Sequence, residues 1–437
     1  MISKKWHCLH SPITGGILLL IASATALIWA NLSPEHYHAF WHNTLLETTI
    51  TVKDSSFTIN MHKIANEFLM AIFFFFIGLE IKRELLDGEL SSFQKASLPL
   101  FAALGGVLIP AAIYCFMNSG TPAKSAWGIP MATDIAFALG VLAIVGTRVP
   151  LALKVFLSAL AIGDDLMAVI VIALVYTKEI YMNELVFGLG GLLILTIANL
   201  MGVRKKLFYY TVGLCIVWVG FLASGVHATI AGVAVAFTIP SRRAISMNDY
   251  LSQSRDILAN LEKDRFCEND VLSKNAMKQL KKIQILSHKA ANPLQLKEDS
   301  LHPIATLFIV PFFALGNAGV IIDSEMLGQL SNPIVLGIAL GLIVGKPLGV
   351  FLFTKLFTLL KIGSLPEGVT WTHIIGLGFL AGMGFTMSLF ITDLALPNLE
   401  HQVIAKVAVL LASVISGIIG YVILVTAKPA KKESISA

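Results

Sequence analysis

Apolar stretches of about 20 residues recur along the whole sequence, and this is the length that an α-helix needs to cross the hydrocarbon core of a bilayer. Of the 437 residues, 56% are hydrophobic and only 14% are charged. In typical soluble domains about 25% of the residues are charged. The sequence therefore predicts an all-α polytopic membrane protein and not a soluble one.

Twelve apolar segments stand out, with ends defined to within a few residues. They cover residues 14–31, 64–81, 95–116, 130–146, 151–176, 184–201, 207–223, 226–240, 303–322, 333–360, 373–396 and 402–426. The stretch between Lys206 and Arg242 contains no Lys, Arg, Asp or Glu. This part supplies either two short spans hinged near SGVH or one long re-entrant element.

Basic residues cluster at the ends of these segments and indicate the orientation of the chain. If Lys4 and Lys5 lie in the cytoplasm and the segments alternate, the loops on that side receive most of the basic residues, as the positive-inside rule requires. The net charge of +5 is therefore a topology signal and not the footprint of a nucleic-acid partner. We expect both termini in the cytoplasm, with the first segment retained and not cleaved as a signal peptide.

The same pattern divides the chain into four regions. They are transmembrane segments 1 to 8 in residues 1–240, a charged cytoplasmic loop in 241–302, segments 9 to 12 in 303–426 and a basic cytoplasmic tail in 427–437. Residues 48–60 read TTITVKDSSFTIN and form either an external β-hairpin or a disordered loop. The loop 241–302 holds roughly a third of all charges, as a solvated helical segment would. No cofactor motif is visible, and the four cysteines have no metal-ligand spacing.

Two adjacent aspartates, Asp164 and Asp165, lie in the middle of the fifth segment, LALKVFLSALAIGDDLMAVIVIALVY. A charged side chain at that depth costs about 2.5–3.5 kcal/mol on insertion scales. Asp134 in the fourth segment and Lys346 in the tenth also lie within the membrane. An ion pair with Lys346 accounts for one carboxylate only, so at least one other must be protonated, bind a cation or face water. Because neighbouring helix positions point about 100° apart, one aspartate of the pair can face Lys346 while the other faces a cavity shared with Asp134.

The fourth and eleventh segments are interrupted at membrane depth. The fourth carries Pro130 and Thr133 ahead of Asp134, and the eleventh carries several glycines, which include Gly382 and Gly384. Backbone groups freed by Pro and Gly are tolerated there if they line a water-filled site or meet a partner. The two segments are seven apart and hence opposite in orientation, as expected of inverted repeats with two broken helices that cross at the midplane.

The partial charges at the broken helix ends are well compensated by Asp134 and Lys346. Two further ionisable residues, His227 and Glu80, have a less specific position. His227, in SGVHATIAG, is more simply a histidine satisfied at a turn than a functional group. Glu80 lies near one end of the second segment, where head groups and water are within reach.

At these positions the sequence resembles the NhaA family of bacterial Na+/H+ antiporters, over nearly the whole chain. The resemblance rests on several motifs that occur in order and with membrane spacing. They are FIGLEIKREL (76–85), ATDIAFALGV (132–141), DDLMAVIVIALVYT (164–177), SGVHATIAGV (224–233), LHP (301–303), NAGV (317–320), GKPLGV (345–350) and GMGFTMSLFI (382–391). The double aspartate alone is a weak signal, whereas the set is specific.

The resemblance implies a site for the transported ions. It implies that the fourth and eleventh segments cross as broken helices. It also implies that Asp164 and Asp165 bind the protons and the cation, Na+ or Li+, with Asp165 the stronger candidate for the cation. Thr133 and Asp134 would line this site, and Lys346 would pair with Asp164.

The resemblance further implies regulation, assembly and location. Glu80, His227 and Glu298 would fall in regions that the family uses to respond to pH. A homodimer formed through the external hairpin and a place in the bacterial cytoplasmic (inner) membrane are also implied. The segment KEDSLHPI departs from the pattern LEHxLHPW of many relatives at Asp299 and Ile304, which weakens the case for pH regulation through Glu298.

The predicted function is electrogenic exchange of Na+ or Li+ for entering protons by a secondary transporter. Burial disfavours the charged form of a carboxylate, so near neutral pH it holds either a proton or a small hard cation. A site that opens to one side at a time turns this competition into exchange, with inhibition by acid. The alternatives are a sodium-coupled symporter of organic anions and an intramembrane aspartyl protease. The protease alternative lacks the YD, GxGD and PAL signatures.

Overall fold

The computed structural model describes five ranges of the chain, and nearly all residues in them are helical. The ranges are residues 12–46, 59–177, 180–263, 273–323 and 328–427. The helices, counted as continuous through short π-helical stretches, are α1 (Pro12–Leu32), α2 (Pro34–His42), α3 (Met61–Asp87), α4 (Phe93–Met117), α5 (Ile135–Val145), α6 (Leu151–Val175), α7 (Met182–Leu200), α8 (Lys206–Ser224), α9 (Ala228–Thr238), α10 (Met247–Lys263), α11 (Lys274–Ala290), α12 (Pro293–Asn317), α13 (Pro333–Leu359), α14 (Trp371–Ala381), α15 (Phe385–Ala395) and α16 (Leu399–Thr426). A 3₁₀ helix, Pro122–Met131, precedes α5.

The length and apolarity of these helices confirm a polytopic membrane protein. Within the described ranges, ten helical stretches are long and apolar enough to cross a bilayer, and α14 with α15 forms an eleventh that is bent by 46°. The eighth predicted segment corresponds to α9, which has only 11 residues. A helix of that length extends about 16 Å and falls short of the hydrocarbon core. Each of the twelve predicted segments therefore overlaps a helix, but α9 is too short to count as a span by itself.

The uncharged stretch between Lys206 and Arg242 folds as two helices, α8 and α9. Gly225 separates them in the left-handed region, with φ of 80°, which glycine adopts without a steric penalty. The sequence had left open a single long re-entrant element here. The structure has the two-helix arrangement.

Helix α12 begins ten residues before its predicted start, at 293 against 303. Asn292 caps it by accepting a hydrogen bond from the Leu294 N–H (3.0 Å), and Pro293 occupies the first turn. The polar run KEDS therefore lies inside the helix, and residues 318–322 lie beyond its end. The prediction was wrong at both ends because apolarity marks the extent of the bilayer and not the extent of a helix.

The two predicted extramembrane features are described to different extents. Strands Thr44–Leu46 and Ile59–Asn60 pair in antiparallel fashion, with Thr44 opposite Asn60. The predicted hairpin 48–60 otherwise lies outside the described residues, as does nearly all of the tail 427–437. The loop 241–302 contains α10 and α11, which pack against each other, and the first residues of α12.

Helices α4 and α13 pack closely and position a buried lysine. A Cβ added to Gly105 in α4 would lie 2.4 Å from the Gly349 carbonyl oxygen in α13, so glycine is needed at this crossing. Lys346 lies one turn before Gly349, directly after the π-helical stretch Gly341–Gly345. Such π-bulges inside α-helices are frequent at functional sites.

Candidate functional site

Two interrupted helices contact each other at their breaks. The chain is not helical at 132–134, between the 3₁₀ helix Pro122–Met131 and α5, and the second break, at 382–384, separates α14 from α15. The Asp134 N–H donates a hydrogen bond to the Met383 carbonyl oxygen across the crossing (2.7 Å). Both interruptions that the sequence predicted are therefore present, and they meet at Asp134.

Asp134 accepts hydrogen bonds from the amino-terminal ends of two helices. Its Oδ1 accepts from the Phe137 N–H at the start of α5 (3.0 Å). Its Oδ2 accepts from the Thr386 N–H at the start of α15 (3.2 Å) and from the Thr386 hydroxyl. The residue is 2% exposed, so its negative charge faces two partial positive charges without water between them.

The carboxyl-terminal ends of the other two half-helices are also satisfied by side chains. Lys346 Nζ donates to the Met131 carbonyl oxygen at the end of the 3₁₀ helix. Thr133 Oγ1 lies 2.7 Å from the Ala381 carbonyl oxygen at the end of α14. The crossing thus has a carboxylate at its amino-terminal ends and an ammonium and a hydroxyl at its carboxyl-terminal ends, as the helix dipoles require.

Asp164 and Lys346 form a fully buried ion pair. Asp164 Oδ2 lies 2.7 Å from Lys346 Nζ, and neither side chain is exposed. The other oxygen, Asp164 Oδ1, is buried and has no hydrogen-bond partner among the described residues. One acceptor atom of this carboxylate therefore remains available for a proton or a cation.

The Thr133 hydroxyl makes the hydrogen bonding depend on the protonation of Asp164. Its Oγ1 lies 2.7 Å from Asp164 Oδ2 and also 2.7 Å from the Ala381 carbonyl oxygen. A hydroxyl has one proton to donate and cannot serve two acceptors. With Asp164 protonated, Asp164 can donate to Thr133 and Thr133 to Ala381. With Asp164 ionised, Lys346 compensates the carboxylate.

Asp165 is buried and has no ion pair or hydrogen bond among the described residues. It is 4% exposed, and it interacts electrostatically with three other acidic side chains and with Lys346. The three acidic side chains are Asp164, Glu80 and Asp134. No cluster of three or more His, Cys, Asp or Glu side chains in the described ranges is arranged to hold a metal ion. Oxygens other than carboxylates would have to complete the coordination of a cation at Asp165.

The glycines of the second break lie where a larger side chain would collide. A Cβ on Gly384 would lie 2.0 Å from Ser388 Oγ and 3.1 Å from the Ala132 carbonyl oxygen. A Cβ on Gly382 would lie 2.4 Å from the Leu342 carbonyl oxygen. Gly384 therefore permits the close approach of the two breaks, and Gly382 permits the close approach of the second break to α13.

Pro130 lies in the last turn of the 3₁₀ helix. It contacts Gly341 of α13, where an added Cβ would lie 2.6 Å from the Pro130 Cβ. The preceding carbonyl, of Ile129, accepts a hydrogen bond from the Ser388 hydroxyl (2.7 Å). The 3₁₀ helix is thereby fixed to both α13 and α15.

Two of the three candidates for the pH response belong to one charged group. Arg83 Nε lies 2.8 Å from each carboxylate oxygen of Glu298, and Arg83 Nη1 lies 2.7 Å from Glu84. Glu80 interacts electrostatically with these three residues and with Asp165. The group connects α3 with α12, and through Glu80 it interacts electrostatically with Asp165.

The third candidate, His227, lies between α8 and α9. Its Nδ1 is 2.8 Å from the Thr229 hydroxyl, and its ring centroid is 5.3 Å from that of Phe390. These contacts correspond to the simpler of its two interpretations, a histidine satisfied at a turn. A role in the response to pH stays a prediction.

Thr386 was not predicted as a site residue, although it lies in the motif GMGFTMSLFI. Thr386 follows the glycine break by two positions, so its N–H is one of the free donors at the start of α15. This position could have indicated a site residue in the sequence, because a hydroxyl at the start of α15 can reach the Asp134 carboxylate, which caps α5.

A second polar group, which was not predicted, is partly buried and includes an ion pair between α15 and α16. Lys406 Nζ is 2.7 Å from Asp393 Oδ1, and the Asn66 amide donates to Asp393 Oδ2 (3.2 Å). Asn317 donates to Asn66 Oδ1 (2.8 Å). Asn317 and Lys406 line a cavity of about 560 Å³ together with His62. The group connects α3, α12, α15 and α16.

Comparison with known proteins identifies a family. Residues 7–424 match the family model described as Na+/H+ antiporter 1. The protein named Na(+)/H(+) antiporter NhaA 1 in Psychromonas ingrahamii is 66% identical over 98% of both chains. The NhaA antiporter of Oleidesulfovibrio alaskensis is 45% identical over 94% of this chain and 91% of its own. That of Helicobacter pylori is 44% identical over 94% and 93%.

Proposed function

The chain belongs to the Na+/H+ antiporter 1 family of secondary transporters, which are not enzymes, and from this premise we propose that it expels Na+ or Li+ in exchange for protons at Asp164 and Asp165. The observation that carries the proposal is Asp165. It is a buried carboxylate without a hydrogen bond or ion pair among the described residues. A carboxylate in that position exists as the acid or binds a cation.

The cation would be bound between the two aspartates. Asp164 Oδ1 is buried and has no partner among the described residues, and Asp165 has no hydrogen bond or ion pair there, whereas Asp164 Oδ2 is held by Lys346. Oxygen ligands suit small hard cations. The Thr133 hydroxyl, 2.7 Å from Asp164 Oδ2, would supply an uncharged oxygen ligand.

Protons and cations would compete for the same oxygens. Arrival of the cation requires that the carboxylates release their protons, and arrival of protons displaces the cation. Because the pair titrates as a unit, the number of protons released belongs to Asp164 and Asp165 together. Exposure of the site to one side of the membrane at a time then couples the two fluxes.

The broken helices would provide the movement. Their ends are compensated by Asp134, Lys346 and Thr133, so small shifts of the half-helices exchange one set of hydrogen bonds for another. Rocking of two inverted repeats around a fixed midplane site is the expected form of this movement.

The exchange would be electrogenic if two protons enter for each cation that leaves. The membrane potential then contributes about 2.3 kcal/mol per net charge for every 100 mV.

Such a transporter of the bacterial inner membrane, with both termini in the cytoplasm, would support salt tolerance and pH homeostasis. It would work best at alkaline pH, because protons occupy the site in acid. Glu80, Glu298 and His227 are the candidates for an added response to pH.

The symporter alternative needs a free cationic side chain near the membrane centre to bind an organic anion. Lys346 is already engaged by Asp164 and by the Met131 carbonyl. This counts against symport.

We also propose that the protein forms a homodimer through the external loop that contains residues 48–60.

The experiment measures collapse of ΔpH in everted membrane vesicles from an antiporter-deficient bacterial host. We expect Na+ and Li+ to collapse ΔpH at alkaline pH with the wild type and with Asp87→Asn, an exposed position. We expect no collapse with Asp165→Asn at equal expression. Collapse with Asp165→Asn would leave exchange standing and place the site elsewhere. No collapse with the wild type, together with Na+-stimulated uptake of an organic anion, would support symport.

A further inference from the structure

The cytoplasmic helices α10 and α11 form a two-helix unit with its own small core. Ile257 and Leu261 of α10 pack against Ala276 of α11, with Ile283 and Leu286 at the edge. The Tyr250 hydroxyl lies 3.1 Å from Ser287 Oγ and joins the two helices near their membrane ends. One side of α11 is thereby buried, and the opposite side faces away from α10.

The outward side of α11 carries positive charge and no negative charge. The sequence of the helix, KNAMKQLKKIQILSHKA, contains no Asp or Glu. Its basic side chains are all exposed: Lys274, Lys278, Lys281, Lys282, His288 and Lys289. By contrast, α10 has Asp249, Asp256 and Glu262 beside Arg255. The single sign of charge is therefore a property of α11 and not of the whole unit.

Exposed apolar side chains lie within this basic surface. Ile285 is 55% exposed and Met277 is 49% exposed. At about 100° per residue, Ile285 projects between Lys278 and Lys281, and the three fall within an arc of roughly 60°. Lysines that flank an exposed isoleucine are typical of helices that lie in the interface of an anionic membrane.

The unit is attached at the edge of the membrane. The Ala244 N–H donates to the Lys289 carbonyl oxygen (2.9 Å), and Arg204 Nη2 donates to the Arg243 carbonyl oxygen (3.1 Å). These contacts hold the end of α11 beside the start of the membrane-spanning helix α8. α11 has 17 residues, so its far end lies at most about 25 Å from this attachment.

We propose that α11 binds anionic phospholipids of the cytoplasmic leaflet, with its lysines at the head groups and Ile285 and Met277 at the level of the upper acyl chains. The proposal goes beyond the exchange of ions and does not depend on the identity of the transported cation. It assigns a partner to the charged loop 241–302. Charge complementarity selects the anionic lipid, because juxtamembrane lysines are attracted by the negative surface of that leaflet.

The test measures the depth of a nitroxide on the full-length protein in lipid nanodiscs. The four cysteines, Cys8, Cys115, Cys215 and Cys267, are first replaced by serine. A label is then attached at Ile285→Cys, or at the exposed Asn260→Cys of α10 as the off-surface control. The readout is the ratio of collisions with oxygen, which concentrates in lipid, to collisions with a water-soluble nickel chelate.

We expect the ratio at position 285 to be at least about threefold higher in discs with phosphatidylglycerol than in discs of phosphatidylcholine alone, as for a helix that anionic lipid draws to the interface. Position 260 should not respond. The variant Lys278→Gln/Lys281→Gln/Lys282→Gln should abolish the difference. The control Arg242→Gln/Arg243→Gln/Arg255→Gln, which removes as many exposed positive charges outside α11, should retain it.

Two results would overturn the proposal. Equal water accessibility at position 285 in both lipids would show that anionic lipid does not bind the surface. Protection of position 285 in neutral discs, or only after addition of a short RNA, would assign the surface to another part of the protein or to a nucleic acid.

Discussion

Lys346 Nζ lies 2.7 Å from Asp164 Oδ2, and neither side chain has any surface exposed to solvent. Two ions that leave water together are stabilised by their attraction and by the hydrogen bonds around them. Loss of one partner leaves the other as a buried charge without compensation. Loss of both partners leaves no uncompensated buried charge.

We therefore expect Lys346→Met to destabilise the protein by about 3–5 kcal/mol, as for other buried pairs with one partner removed. The double variant Asp164→Asn/Lys346→Met should recover at least half of that loss. Thermal unfolding of the purified protein in detergent measures both. Lys355→Met, at an exposed position of the same helix, is the control and should change little. Equal losses in the single and double variants would contradict a coupled pair.

Asp134 and Asp165 should differ in their effect on stability. Asp134 accepts hydrogen bonds at the start of α5 and of α15, so Asp134→Ala should destabilise by about 2 kcal/mol, the upper range for a lost helix cap. Asp165 has no hydrogen bond or ion pair to lose within the described part of the chain, so Asp165→Ala should leave the melting temperature unchanged or raise it. The same unfolding assay measures both. A similar fall in both variants would mean that Asp165 has structural contacts after all.

The break between α14 and α15 should not tolerate a methyl group. Gly384→Ala would bring a Cβ to 3.0 Å from the Ser388 Cβ and 3.1 Å from the Ala132 carbonyl oxygen. We expect destabilisation by about 1–3 kcal/mol, as for other overpacked sites, with reduced exchange in vesicles. Gly190→Ala is the matched control, because an added Cβ there meets nothing within 4 Å. It should be neutral or stabilising, since alanine favours a helix over glycine. Equal behaviour of the two variants would refute the close contact at the break.

Much of this arrangement was accessible from the sequence. Apolar length predicted the helices, and Pro130, Gly382 and Gly384 marked the breaks that the structure contains. Ionisable residues are so unfavourable in the bilayer that Asp134 and Lys346 stood out as functional or paired groups. The inference that the two adjacent aspartates point in different directions agrees with the ion pair that Asp164 makes and that Asp165 lacks in the described ranges.

The remainder depends on distances between segments, which sequence patterns do not contain. Thr386 is an ordinary residue of an apolar segment until α15 brings its N–H to Asp134, 252 residues earlier. Lys406 and Asp393 lie near segment ends, where charges are common, and only the packing of α15 on α16 joins them. The start of α12 was missed because its first turns are polar and lie outside the apolar stretch that was counted.

A group of three histidine rings lies beside the cavity near Lys406. The rings of His38 and His42 stack with centroids 4.6 Å apart, and those of His42 and His62 with centroids 4.9 Å apart. Partial desolvation, with the neighbouring His38 and Lys406, lowers the pKa of His42 below its ordinary value of 6.5, and Asp393 opposes this. The unfolded chain therefore binds a proton here more readily than the folded protein does.

This difference makes stability depend on pH in one direction. Above about pH 7.5 His42 is neutral in both states and contributes no slope. As the pH falls below that value the unfolded state gains the proton first, so the folded protein loses stability. We expect the melting temperature to fall between about pH 7 and pH 5 and expect His42→Gln to remove part of that fall. His288→Gln, at an exposed position of α11, should retain it. An unchanged pH profile in His42→Gln would mean that the stacked rings accept a proton as easily as the unfolded chain does.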